Sequence, residues 1–182
     1  MFGAYIFSYF VVYSFSNPKN PFYIYKMNKT AIFPGSFDPI TIGHVDIVMR
    51  AVPIFDEIII AIGINTQKKY LFSLEQRIEW IEKVFKDEPK VKVESYTGLT
   101  VNYCQQRGAK YVIRGIRSSA DFEYEKTIAQ LNHMMMPELD TFLILSSPEL
   151  SAISSTIVRE IIIGNGDTSK FLPKEVDITG KF

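Results

Sequence analysis

Cysteine occurs once in the chain, as Cys104, which excludes an internal disulfide and fits a reducing, cytoplasmic compartment. Histidine is almost as scarce. His44 and His133 with that single thiol are too few for a structural zinc site. Net charge is also missing: 20 basic and 20 acidic side chains cancel over 182 residues. No global field therefore draws nucleic acid or an anionic membrane, and neither is expected as a partner. The uncharged, aromatic-rich stretch from Phe2 to Phe15 is shorter than the ~20 residues of a comfortable membrane span. It lacks the basic flank of a secretory signal, and no small-x-small cleavage site follows it. Internal repeats, low-complexity tracts and flexible linkers are absent from residues 27–182, which read as one domain. Residues 1–26 are expected to be an amino-terminal extension outside that fold, because Met27-Asn28-Lys29 reads as a start immediately before the first strand.

What is present is organised around Phe33-Pro34-Gly35-Ser36-Phe37-Asp38-Pro39-Ile40-Thr41-Ile42-Gly43-His44. Pro34-Gly35 is a strong turn dipeptide, and apolar residues at Val45, Val48, Met49 and Val52 then repeat at helical spacing. Gly43 and His44 thus fall at a helix N-terminus, where unpaired amides and the helix dipole favour an anion and a glycine admits a phosphate. The stretch is neither a dinucleotide-binding Gly-x-Gly-x-x-Gly nor a P-loop, since no Gly-Lys-Ser/Thr follows.

The remainder alternates strand and helix signals. Expected strands cover Thr30–Phe33, Glu57–Gly63, Val91–Tyr96, Tyr111–Ile113 and Thr141–Leu145. Expected helices cover His44–Phe55, a capping-box start at Ser73, Thr100–Arg107, Ala120–Met136 and Ser155–Ile163. Five strands alternating with helices predict a Rossmann-like, doubly wound α/β fold: a parallel sheet with helices on both faces and ligands outside the carboxyl ends of its strands. Those ends carry Ser36 and His44, Lys68, Gly98-Leu99-Thr100, Arg114-Gly115-Ile116-Arg117, and Ser146 through Thr156. Two arginines flanking a glycine at a strand terminus suit anion recognition, although an isolated arginine is more often a surface ion-pair partner. In Ile153-Ser154-Ser155-Thr156, one hydroxyl suffices for a helix cap; three suggest a second phosphate cradle. Met134-Met135-Met136 reads as helix packing or a subunit contact, and His133 as structural.

The strand followed by Pro34-Gly35-Ser36-Phe37-Asp38-Pro39-Ile40-Thr41-Ile42-Gly43-His44, with the late Ile153-Ser154-Ser155-Thr156-x-x-Arg159, resembles the nucleotidyltransferase superfamily that carries a Thr/His-x-Gly-His signature. Arg114-Gly115-Ile116-Arg117, Ala120 to Glu125 and Met136-Pro137-Glu138-Leu139 narrow the likeness to the phosphopantetheine adenylyltransferase family, from about Thr30 to Pro173. The resemblance implies transfer of adenylyl from ATP to 4′-phosphopantetheine by direct in-line attack, giving dephospho-CoA and pyrophosphate. It implies a homohexamer and magnesium carried on the ATP phosphates. His44 would stabilise the transition state, with Lys68 and Ser36 positioning the reactants. ATP would meet Ser36, Phe37, Gly43, His44, Gly115, Ile116, Arg117, Glu125 and the run Leu150, Ser151, Ala152, Ile153, Ser154, Ser155, Thr156. Phosphopantetheine would meet Ser36, Lys68, Leu99, Thr100, Asn102 and Arg114. For Glu125 a solvent-facing helix charge is an equal reading; for Ser36 the competitor is a turn-stabilising hydroxyl. The alternatives are another adenylyl- or cytidylyltransferase of the superfamily, or a nucleotide sensor without catalysis. The chain departs from the family pattern at its amino-terminal extension and in a short tail where a final helix is expected.

Overall fold

The computed structural model describes the backbone of residues 9–13 and 22–26 and all of residues 28–179. β1 (Tyr9–Tyr13) and β2 (Phe22–Lys26) pair antiparallel with each other, in a sheet separate from the main one. The rest of the expected extension, residues 1–8 and 14–21, lies outside the described residues.

Apolar strands decide the architecture. β3 (Thr30–Gly35) and β4 (Glu57–Ile64) are buried along most of their length without alternation, as a parallel sheet covered on both sides requires. With β5 (Val91–Thr97), β6 (Tyr111–Ile116) and β7 (Asp140–Leu145) they form a five-stranded parallel sheet in the order β5-β4-β3-β6-β7. The pleat sends successive residues to opposite faces. Ala31, Phe33, Ile58, Ile60 and Ile62 join the core made with α1 (Ile42–Ala51), α2 (Leu74–Val84) and α5 (Ser155–Ile163). Ile32, Ile59, Ala61 and Val112 join the core made with α3 (Thr100–Arg107) and the turn at Met136 and Leu139 that follows α4 (Ser119–Met135). This is the expected doubly wound α/β fold.

The sheet also creates the crevice. Strand order reverses between β3 and β6, the place where ligands bind in such folds. β3 pairs with β4 as far as Gly35 and Ile62, but its pairing with β6 stops at Ile32 and Val112. Beyond that point the strands part. Pro34 has no amide for a ladder, and Arg114 Nη1 donates to its carbonyl at 2.7 Å.

Two boundaries and one cap differ from expectation for physical reasons. α1 ends at Ala51, not Phe55, because Pro53 offers no amide to continue the helical ladder. β6 continues past Ile113 to Ile116, since pairing with β7 persists through Ile116 and Leu145. At α2, Ser73 Oγ accepts from Gln76 N at 3.2 Å, but the Gln76 side chain turns to Glu79, so only half of the capping box forms. The short tail compensates for a terminal helix: Leu172 and Val176 are buried in the core beside α1 and α5, and the Phe171 carbonyl accepts from Ile42 N at 3.1 Å. Among the described residues, no helix is long and apolar enough to cross a membrane.

Candidate active site

Thr41 is the N-cap of α1, and His44 lies three residues on. This spacing lets the imidazole bend back: His44 Nδ1 lies 3.0 Å from Thr41 N and 2.9 Å from Thr41 Oγ1. The backbone N–H is a donor, so Nδ1 must be the acceptor and the proton of the neutral ring sits on Nε2. Among the described residues no acceptor takes that N–H. Burial, reinforced by Arg117 and Arg114, lowers the His44 pKa from 6.5 to about 4. The ring is therefore a neutral donor at physiological pH. Phe37, buried and held at φ 45°, packs its ring edge-to-face on His44 at 5.1 Å between centroids. A bulky residue in the left-handed region costs on the order of 1 kcal/mol or more and persists only where its surroundings enforce it.

The two arginines expected at the strand end face the same cleft, each against a carboxylate from α4. Arg114 is bidentate to Glu125: Nε donates to Oε2 at 2.7 Å, and Nη2 donates to Oε1. Glu125 is only 7% exposed, so the solvent-facing reading of this residue is wrong. It anchors Arg114. Arg117 donates to Asp121 through Nε at 3.0 Å. Gly115 between them is needed for packing, because a Cβ there would stand 3.1 Å from Ile47 Cγ1 on α1.

The late hydroxyls are partly committed. Ser154 Oγ caps α5 by accepting from Ile157 N at 3.2 Å, and Ser155 Oγ donates to the Pro39 carbonyl at 2.8 Å. Arg159 Nη1 donates to the Asp38 carbonyl at 2.7 Å, and Arg159 Nη2 to Thr156 Oγ1 at 3.2 Å. Ser154 and Thr156 accept in these bonds and keep their own O–H protons for a ligand, whereas Ser155 has committed its proton to Pro39; all three line the cleft. The amides at the start of α5 are of the kind that favour an anion.

Two adjoining cavities result. One, of about 280 Å³, is lined by Ser36, Phe37, Gly43, His44, Gly115, Arg117, Ile153 to Thr156 and Arg159. The other, of about 570 Å³, is lined by Tyr96, Leu99, Thr100, Tyr124, Ile128, Leu131 and Met135. Ser36, Lys68, Arg114 and Glu125 line both. A polar, cation-rich chamber and a more apolar one therefore meet at a lysine, an arginine and a hydroxyl, an arrangement suited to joining two phosphate-bearing molecules.

Not every expected residue reaches them. Asn102 is exposed on α3 and lines neither cavity, and Ile116 is buried in the sheet. Leu150, Ser151 and Ala152 flank the first cavity without lining it; the Leu150 and Ile153 carbonyls would lie 3.9 and 3.8 Å from a Cβ on Gly43. In the methionine run, Met136 packs on the core beside Leu139, whereas Met135 lines the second cavity. The sequence reading quoted Thr41, Asp121 and Arg159 within motifs but gave them no site role. The cap-to-third-residue spacing of Thr41 and His44, and the four-residue spacing of Arg117 and Asp121, were the available signals. Among the described residues no cluster of three His, Cys, Asp or Glu side chains could enclose a metal ion.

Comparison with known proteins agrees with this geometry. Residues 32–161 match a family model described as cytidylyltransferase-like. A phosphopantetheine adenylyltransferase of Flavobacterium psychrophilum is 51% identical over 150 residues, covering 82% of this chain and 99% of that protein. The enzyme of the same name from Bacteroides fragilis is 48% identical over 150 residues, with the same coverage of 82% and 99%. That of Leptospira biflexa is 43% identical over 155 residues, covering 85% and 95%. Among solved structures, one described as a nicotinate-nucleotide adenylyltransferase from Vibrio parahaemolyticus superposes with a TM-score of 0.59 at 18% identity, covering 82% of this chain and 96% of that one. At that identity the likeness speaks to the fold alone.

Proposed function

Because the chain belongs to the phosphopantetheine adenylyltransferase family, we propose that it transfers the adenylyl group of ATP to the phosphate of 4′-phosphopantetheine, giving dephospho-CoA and pyrophosphate in coenzyme A synthesis. The observation that carries the reading is the meeting of two cavities at Ser36, Lys68 and Arg114, with the neutral His44 in the wall of the first. Lys68 and Arg114 hold the attacking phosphate of phosphopantetheine, whose arm lies along Leu99 and Thr100. Arg117, Arg159 and the start of α5 hold the ATP phosphates, and the Leu150–Ile153 segment borders the nucleoside. In-line attack forms the new P–O bond at the α-phosphorus as the bond to pyrophosphate breaks. Charge on the α-phosphate oxygens rises in the transition state, and His44 Nε2–H donates to it. No covalent enzyme intermediate is needed.

Magnesium fits this scheme as a passenger on the triphosphate. The nearest carboxylates, Asp121 and Glu125, already face Arg117 and Arg114, and magnesium usually keeps phosphate and water oxygens as ligands. When bound, it neutralises phosphate charge. A cytoplasmic location fits the single free thiol, Cys104. Exposed Leu131, Met134, Phe142 and Leu145 supply apolar surface of the kind a homohexamer would cover. Residues 1–26 are read as an extension outside the catalytic domain, a reading in keeping with the family-model match to residues 32–161.

The deciding assay supplies purified protein with magnesium, ATP and 4′-phosphopantetheine and follows pyrophosphate and dephospho-CoA. Turnover is expected with phosphopantetheine and not with nicotinate mononucleotide; equal turnover with both removes the specific assignment.

The imidazole also gives a pH signature. Because its folded pKa, about 4, lies below its ordinary 6.5, the unfolded chain takes up a proton that the native state refuses as pH falls between those values. Stability declines over that window. Denaturant titrations at pH 7 and pH 5 should show a larger loss for the wild type than for His44→Gln. Equal losses would mean that the ring is not held neutral.

A further inference from the structure

Arg77, on α2, is 2% exposed and lies outside the lining of both cavities. A buried cation on the core side of a helix is costly, and an apolar residue there would be the cheaper choice. Its donors explain its presence. Nη1 donates to the Ser36 carbonyl at 2.7 Å and Nε to the Ser73 carbonyl at 3.2 Å. The guanidinium also stacks on the Tyr70 ring, 4.2 Å from its centroid, and the Lys68 ammonium lies 5.9 Å from that same ring. Tyr70 is itself fixed at the end of β4: its hydroxyl donates to the Gly63 carbonyl at 3.3 Å and accepts from Asn65 N at 3.1 Å. One guanidinium therefore joins the turn that carries Ser36 to the loop that carries Lys68.

We propose that Arg77 is a positioning residue for adenylyl transfer: stacked on Tyr70, it sets the spacing between Ser36 and Lys68 from beneath the site, without touching either substrate. The inference rests on the reaction proposed above. The planar fork is essential to it, because its donors reach two carbonyls while its face meets the ring, and a lysine can reproduce only one of these contacts.

The test uses the full chain with Arg77→Lys and Tyr70→Leu, each compared with wild type for kcat, both KM values, equilibrium ATP binding and thermal midpoint. Misplacement of reacting groups by a fraction of an ångström to 1 Å costs roughly 10- to 100-fold in rate. Arg77→Lys is expected to lose about 10-fold or more in kcat while ATP binding stays within about threefold. Tyr70 also lines the second cavity, so for Tyr70→Leu the readout is kcat at saturating phosphopantetheine, expected to fall about 10-fold as in Arg77→Lys. A lowered midpoint with unaltered kcat and KM per folded molecule reduces Arg77 to a packing residue and overturns the inference. If Arg77→Lys does not fold, Tyr70→Leu decides by the same criterion. Wild-type turnover with both variants normal removes this inference alone, whereas no wild-type turnover removes the reaction and the inference with it.

Discussion

His44→Ala is expected to lower kcat by roughly 100- to 1000-fold, the usual loss for a donor aimed at developing charge, while equilibrium binding of ATP changes by about threefold or less. The reasoning starts from the tautomer. Thr41 N–H at 3.0 Å commits Nδ1 to accepting, and a pKa lowered to about 4 keeps the second proton off the ring. What remains is one N–H on Nε2, a donor of fixed direction. A neutral donor adds little to a ground-state triphosphate already facing Arg117 and Arg159. It adds most when the α-phosphate gathers charge during attack. His44→Gln, which keeps a side-chain N–H, should recover part of the rate. Isothermal titration with a non-hydrolysable ATP analogue, beside steady-state kinetics, checks the split. If binding and kcat fall together, the ring is a ground-state ligand and the proposed role fails.

Arg114→Ala should have the largest effect on affinity and a second effect on the fold. In the proposed reaction the phosphate of phosphopantetheine loses the Arg114 cation, so its KM should rise on the order of 100-fold. Glu125, 7% exposed, is left as a buried carboxylate without its counter-ion. Breaking such a pair is strongly destabilising; with Arg114 29% exposed, about 2–3 kcal/mol is a reasonable expectation after solvent screening. For a domain of this size that lowers the thermal midpoint by roughly 5–10 °C. Replacing both residues, Arg114→Ala with Glu125→Gln, removes the unpaired charge and should restore most of the midpoint but none of the affinity. Restoration of both, or of neither, would contradict the division of labour assigned to the pair.

Legibility in the sequence followed range. The turn from Phe33 to His44 could be read because its chemistry is local: prolines and glycines bend the chain, and a periodic helix begins at once. β4 could be read because five successive aliphatic residues, Ile58 to Ile62, have no exposed face to offer. Arg114 and Glu125 could not be paired by inspection, since eleven residues separate them and a strand must be laid against a helix before they meet. Arg77 was hidden for a similar reason. Beside Ile78 and Ile81 it looks like the polar flank of an amphipathic helix, and only the placement of Ser36, forty-one residues away, reveals what it donates to. The hydroxyls before α5 were legible as a group but not in their separate structural tasks: all three line the first cavity, while Ser154 also caps the helix and Ser155 also reaches back to Pro39.

The links from α5 to the phosphate turn bear on how the protein comes into being. Ser155 and Arg159 reach the Pro39 and Asp38 carbonyls across 116 and 121 positions of chain. Contacts of such separation close large loops and form late. During synthesis the first strand, the turn and His44 leave the ribosome with most of the domain still unmade. The nascent chain therefore carries its phosphate turn long before it has the residues that fasten it. The wall of the first cavity is complete only once the last helix docks and adds Ser154 to Thr156 and Arg159 to it.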